Sequence, residues 1–277
     1  MTQPTDRLAP YRNPDGIVPE HVNWSELLRR WRVLIEPGMD LTRLYEVLVM
    51  IQAPSNAREY YRTRAHPNGR LLDSSERDLL ATLKDDDYLA SLPIGSVGHA
   101  FRSFLTTNRL DAGVYSEAAI RPIAELNNWS EDFYRFSVRS TALHDVVHTI
   151  TGYGPDAAGE ALALGFFCGQ VEPAGPIRLA GLILAIITPG APLPHKIRCY
   201  RQAIERGRRA DSVLAAPWED LLAEPLDDVR ALLGISPQSV AHPDGTWHTQ
   251  WMPKGMTAPM MWDYDAILAQ GHFASST

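Results

Sequence analysis

What the chain lacks narrows it first. Its 277 residues include only two cysteines, Cys168 and Cys199. Two thiols make no disulfide framework. They suit a reducing compartment, and we read both as small buried apolar residues. There is no basic run, and the net charge is -7. Phosphate backbones need clustered lysine and arginine, so no nucleic-acid partner is expected. The longest apolar run, Leu179 to Thr188, falls short of the roughly 18 residues that a membrane-spanning helix needs, and Pro189 and Gly190 close it. The polar, proline-rich start MTQPTDRLAPYRNPDG has no apolar signal-peptide core. A soluble or peripheral, cytoplasmic protein is expected. Also missing are a glycine-rich phosphate loop, a Gly-x-Ser-x-Gly elbow and a Cys-x-x-Cys pair. Those absences argue against nucleotide-driven chemistry, hydrolase triads and thiol redox work. Period-two alternation bounded by turns is absent too, so strands are not supported.

What is present is helical. Hydrophobic residues make up 45% and charged residues 21%, the balance of a globular chain. Trp24, Leu27, Leu28, Trp31, Leu34 and Ile35 recur at helical spacing, with Arg29, Arg30 and Arg32 among them. Such a helix docks on the domain or on a second subunit; lying on a membrane surface is the other reading. Residues 41–52, the leucines of SSERDLLATLKDD, and residues 92–110, 130–151, 156–170, 177–187 and 195–210 continue the helical pattern. Pro217 and Pro225 open two short helices, and Gly234 stands as a C-cap. From Ser236 the chain turns rich in Pro, Gly, Trp and Met without a sustained period. The expected organisation is an N-terminal arm with an amphipathic helix over 1–40, an all-α single helical domain over 41–235, and an extended tail over 236–277. His242 and His248 lie in that tail, where lone histidines are seldom ligands.

The stretch LHDVVHTITGYGPDAAGEALAL, residues 143–164, concentrates the chemistry. A helix advances about 100° per residue. His144, Asp145 and His148 therefore fall within one arc, and the i, i+4 imidazole pair is a spacing that lets two histidines share a metal. Glu160 would lie some 18 Å further along a straight helix. Gly152, Gly154 and Pro155 predict a reversal, with two glycines for left-handed backbone and a proline to start the next helix. A helical hairpin then faces Glu160 toward the histidines. Mixed nitrogen and oxygen ligation suits zinc, manganese, iron or cobalt. Asp145 is either a ligand or a group that holds an imidazole.

Other candidates have two readings each. Arg206, Arg208 and Arg209 could bind an anionic headgroup or a carboxylate, or simply complement a helix C-terminus. Arg139, five residues before His144, is either near the same site or a surface ion-pair partner. Phe166, Phe167 and the run Leu179 to Ile187 are either ordinary core or the lining of a channel for a long apolar ligand.

HDVVH followed by eleven residues and Glu160 fits H-D-x-x-H-x11-E, and on this motif the chain resembles the coenzyme Q biosynthesis protein 4 family. LPIGSVGHAFRSFLTTNRL is similar to that family's LPxGSxGxxYxxFL segment. GPIRLAG, GRRADSV and the closing LLGI resemble its GPIRL and GRRAxxV…LGI segments, in the right order over roughly 45 to 235. The resemblance implies an all-helical protein with a divalent metal, usually zinc, at His144, Asp145, His148 and Glu160. It implies prenyl-lipid binding and peripheral attachment to the inner face of the membrane. It further implies a role in ubiquinone biosynthesis, both organising the other biosynthetic enzymes and removing the C1 carboxyl of a polyprenylated 4-hydroxybenzoate-derived intermediate. A homodimer is also expected. The competing expectations are a non-catalytic lipid-binding scaffold and a relative acting on another prenylated substrate.

Overall fold

The helices begin where a short side chain can accept their first free amides, or where a proline removes one. The computed structural model describes residues 55–69, 78–110, 112, 120–121, 124–125, 128–171 and 175–246. The helical patterns expected at 21–35 and 41–52, and the tail beyond 246, lie outside the described residues. The described chain runs through α1 (55–65), α2 (Leu79–Lys84), α3 (Asp86–Ser91), α4 (Val97–Asn108) and α5 (Glu131–Thr151). It continues through α6 (Ala157–Gln170), α7 (Gly175–Ile187) and α8 (Leu193–Arg209). Three short helices follow: α9 (Trp218–Leu221), α10 (Leu226–Leu232) and α11 (Gln238–Ala241). Asp78, Asp85, Ser96, Ser130 and Asp156 each accept a backbone amide at a helix start. Pro192, Pro217, Pro225 and Pro237 stand at the others, with no side-chain cap. The all-α expectation holds: no strand forms among the described residues, where one isolated bridge joins Ser96 to Pro225.

Two layers of packing place the site. In the first, α4 and α2 lie on α5, burying Phe101, Leu105, Phe133, Leu143, Val146, Val147 and Ile150. In the second, α6 packs on α8 and α7. The α6–α8 contact is close because glycines line it. A Cβ at Gly207 would overlap the Phe166 carbonyl, and one at Gly169 would overlap the Ile204 carbonyl. Gln170 locks the far end: its amide donates to the Gly207 and Ala210 carbonyls and its oxygen accepts from the Val213 amide. Cys168 and Cys199 are buried, and burial pushes both thiols up to about 11. They are inert fillers, as their isolation in the sequence implied.

Helix α7 is only half enclosed. Ile177 and Ala185 face inward, whereas Leu179, Ile183, Ile186 and Ile187 stay exposed, Ile187 by 69%. The expected tail also departs from an extended segment. Residues 236–246 include α11 and are pinned to the domain: Arg206 donates to the Ser236 carbonyl, and His242 is buried.

The α6–α8 seam gives a direct test. Gly207→Ala forces a methyl into the Phe166 carbonyl and is expected to cost about 1–3 kcal/mol, read as a lowered midpoint in denaturant unfolding.

Candidate metal centre

Helix α5 ends because its next residue is Gly152, at φ 77, a left-handed conformation that a side chain disfavours. The Gly152 amide still reaches back to the His148 carbonyl at 2.8 Å. Asp156 then caps α6, accepting from the amides of Ala158 and Gly159, both at 2.9 Å. The reversal differs from expectation in two details. Of the two glycines only Gly152 is left-handed, and α6 starts after Asp156, with Pro155 outside the helix. The reversal can be this tight because position 159 is also glycine, where a Cβ would overlap the Gly154 carbonyl.

The hairpin delivers Glu160 to the histidines. His144 Nε2 lies 3.2 Å from Glu160 Oε2, His148 Nε2 lies 3.5 Å from it, and the two Nε2 atoms are 3.0 Å apart. His148 Nδ1 sits 3.2 Å from the Tyr153 carbonyl oxygen, which can only accept. Nδ1 therefore carries the proton, and the Nε2 lone pair faces the site. Phe104 stacks along His148 at 5.7 Å and Phe167 along His144 at 6.2 Å, walling the imidazoles with apolar rings.

This donor set fits a tetrahedral ion. Ligands at zinc bond lengths stand about 3.3 Å apart along each edge, and the three observed edges lie between 3.0 and 3.5 Å. Among the described residues, His144, His148 and Glu160 form the group whose donor atoms all fall within 4.8 Å of one another. Asp145, the fourth residue expected to ligate, is outside that triangle. Burial raises its carboxyl above the usual range, with His144 and His148 pulling the other way.

Without an ion the three groups share charge. Burial works to lower the His144 pKa, but the Glu160 carboxylate outweighs it and lifts the ring to about 9. Burial works to raise Glu160, and His148 and His144 outweigh it, holding the carboxyl well below its usual range. Groups whose charge partners outweigh burial in this way cluster at functional sites.

The arginines go elsewhere. Arg139 lies five residues before His144, about 140° round the helix, and pairs with Glu219 and the Ala216 carbonyl. Arg206 is buried, and its guanidinium donates to the Thr151 and Ser236 carbonyls. Arg208 and Arg209 both pair with Glu205 on the surface of α8.

The family model described as coenzyme Q (ubiquinone) biosynthesis protein Coq4 matches residues 62–239. The chain belongs to the Coq4 family. The bovine mitochondrial COQ4 homologue is 27% identical over 79% of this chain and 83% of its own length. The mouse homologue is 30% identical over 62% of each chain, so this chain spans about three fifths of that relative. A crystal structure from Nostoc punctiforme, provisionally titled a ubiquinone biosynthesis protein, shares the fold at TM-score 0.53 with 15% identity, covering 78% of this chain and all of that one. The Coq4 match contains all four residues of the H-D-x-x-H-x11-E motif; His242 falls just past its end.

Two contributors to the site had no signal in the motif. Tyr153 supplies the carbonyl that orients His148, and Phe104 comes from a helix forty residues upstream. The only local hint to Tyr153 was its place directly after the left-handed glycine.

The raised His144 pKa sets the pH behaviour. The unfolded chain releases this proton near the ordinary histidine value of 6.5, the folded metal-free protein near 9. Stability from the His144–Glu160 pair is thus complete below 6.5 and is lost as pH rises through about 9. A metal must displace the same proton. The apparent zinc affinity is expected to climb about ten-fold per pH unit over that window, measured by chelator competition. Asp145→Asn is expected to retain bound zinc, and His148→Ala to lose it.

Proposed function

We propose that this chain, a ubiquinone biosynthesis protein of the Coq4 family, removes the C1 carboxyl of a polyprenylated 4-hydroxybenzoate-derived intermediate at the His144–His148–Glu160 centre. The observation that carries the reading is the three-donor triangle at tetrahedral spacing, lying wholly inside the family match. A divalent ion held there, zinc among those the donor set suits, would supply Lewis-acid stabilisation to charge on a substrate carboxylate or phenolic oxygen.

The chain's own residues do the rest. His144 and His148 present Nε2 lone pairs, and Glu160 offsets the positive charge. Phe104 and Phe167 keep water from the imidazole faces. When the C1–carboxyl bond breaks, the electron pair stays on the ring carbon and a proton replaces CO2. Asp145, whose raised carboxyl is suited to holding a proton, is assigned to that transfer. If hydroxyl replaces the carboxyl instead, two electrons must leave to an acceptor such as oxygen. Zinc cannot relay them, so in that version iron, cobalt or manganese at the centre would pass them to the oxygen, or they would go to it directly.

Metal analysis with a carboxyl-release assay tests the reading. Wild type is expected to hold one equivalent of metal and release CO2 from the prenylated acid. His148→Ala is expected to lose both. A variant that keeps metal and turnover would overturn it.

The exposed apolar face of α7 supports a second component, prenyl-lipid binding and peripheral attachment to a membrane. Among the described residues no helix is long and apolar enough to cross a membrane. Homodimer formation and contact with other enzymes of the pathway belong to the same proposal. Ile183→Asp with Ile187→Asp is expected to abolish flotation with liposomes while leaving metal content unchanged.

A further inference from the structure

The orientation of His148 depends on the carbonyl of a residue set between two glycines. Tyr153 follows Gly152 and precedes Gly154. Glycine on both sides leaves the peptide units free to swing, so the direction of the Tyr153 carbonyl must be fixed through its side chain. Three contacts do this, and all of them involve the segment 236–246. The Tyr153 hydroxyl donates to His242 Nε2 at 2.9 Å. His242 Nδ1 donates in turn to Gln202 Oε1 on α8 at 3.2 Å. The Arg206 guanidinium lies 5.1 Å over the Tyr153 ring and joins the Thr151 carbonyl at 2.8 Å to the Ser236 carbonyl at 2.9 Å. Tyr153 and His242 are each 2% exposed.

Burial, with Arg206 and His195 nearby, lowers His242 to about 4, so the ring is neutral in the physiological range and one nitrogen accepts while the other donates. The two bonds it makes use one of each. Donation therefore runs from the Tyr153 hydroxyl through His242 to the Gln202 carbonyl oxygen.

We propose that His242 is a positioning residue of the metal centre: through Tyr153 it holds His148 with Nε2 toward the ion. Residues 236–246 then act as a strap across the hairpin turn, clamped at Ser236 by Arg206 and at His242 by Tyr153 and Gln202. His242 lies three residues past the end of the family match at 239. The inference rests on the metal reading of His144, His148 and Glu160.

The test is zinc affinity of the full chain by chelator competition, with unfolding midpoints measured in parallel. Tyr153→Phe removes one oxygen and keeps the ring under Arg206; His242→Ala removes the acceptor. Each is expected to weaken zinc binding roughly ten-fold. His242→Gln, which can still accept from the hydroxyl, is expected to recover most of it. Leu89→Ala, a buried residue on α3 away from the hairpin, controls for simple destabilisation: it should lower the midpoint and leave zinc affinity at the wild-type value. Unchanged affinity in Tyr153→Phe and His242→Ala overturns the positioning role and leaves the metal reading standing. So does an equal loss in Leu89→Ala. Wild type that takes up no zinc overturns the metal reading and the positioning role together.

Discussion

Glu160 is a carboxylate with only 13% of its side chain in contact with solvent. Removing such a charge from water costs several kcal/mol unless an opposite charge and hydrogen bonds compensate. The compensation comes from another helix, so α5 and α6 cannot be joined at any arbitrary angle. Gly152, Gly159 and Asp156 together make the one reversal that closes the distance. The polarity of the hairpin adds to the effect. His148 lies in the last turn of α5 and Glu160 in the first turn of α6. A helix N-terminus favours an anion, which is where Glu160 lies.

The packing elsewhere serves that arrangement. α6 is held against α8 by glycines that admit backbone to backbone, and Gln170 fixes the end of α6. α5 is held from the other side by α4, whose Phe104 reaches the His148 ring. Arg139, on the far face of α5, ties the same helix to Glu219 and the Ala216 carbonyl. Each of the three donors thus sits on a helix restrained along its length, and their spacing follows from that restraint.

The helices were legible because their signals are local. Ser130 caps α5, Gly152 stops it, and Pro192, Pro217 and Pro225 start later helices. The hairpin was legible for the same reason, since every residue that makes it lies between 144 and 160. What could not be read were contacts made across the fold. Arg139 meets Glu219 eighty residues away, Arg206 meets Thr151 fifty-five away, and His242 meets Tyr153 eighty-nine away. No periodicity or cap encodes such pairs. Proximity along the chain placed Arg139 near His144, yet five positions on a helix turn it to another face. His242 was set aside as a lone histidine in a tail, and burial between Tyr153 and Gln202 is the fact that changes its standing.

The two imidazoles differ in a way that bears on what the centre is for. His148 is closed off, with 1% of its side chain exposed, and is tethered through the Tyr153 carbonyl. His144 keeps 34% of its side chain open. A small molecule reaching the centre therefore meets the His144 edge, beside Phe167. The donor triangle counts three protein atoms, with Asp145 outside it. Structural zinc sites use four protein ligands and close around the ion, whereas catalytic ones use three and leave a position for water or substrate. Among the described residues the three donors leave the His144 edge accessible.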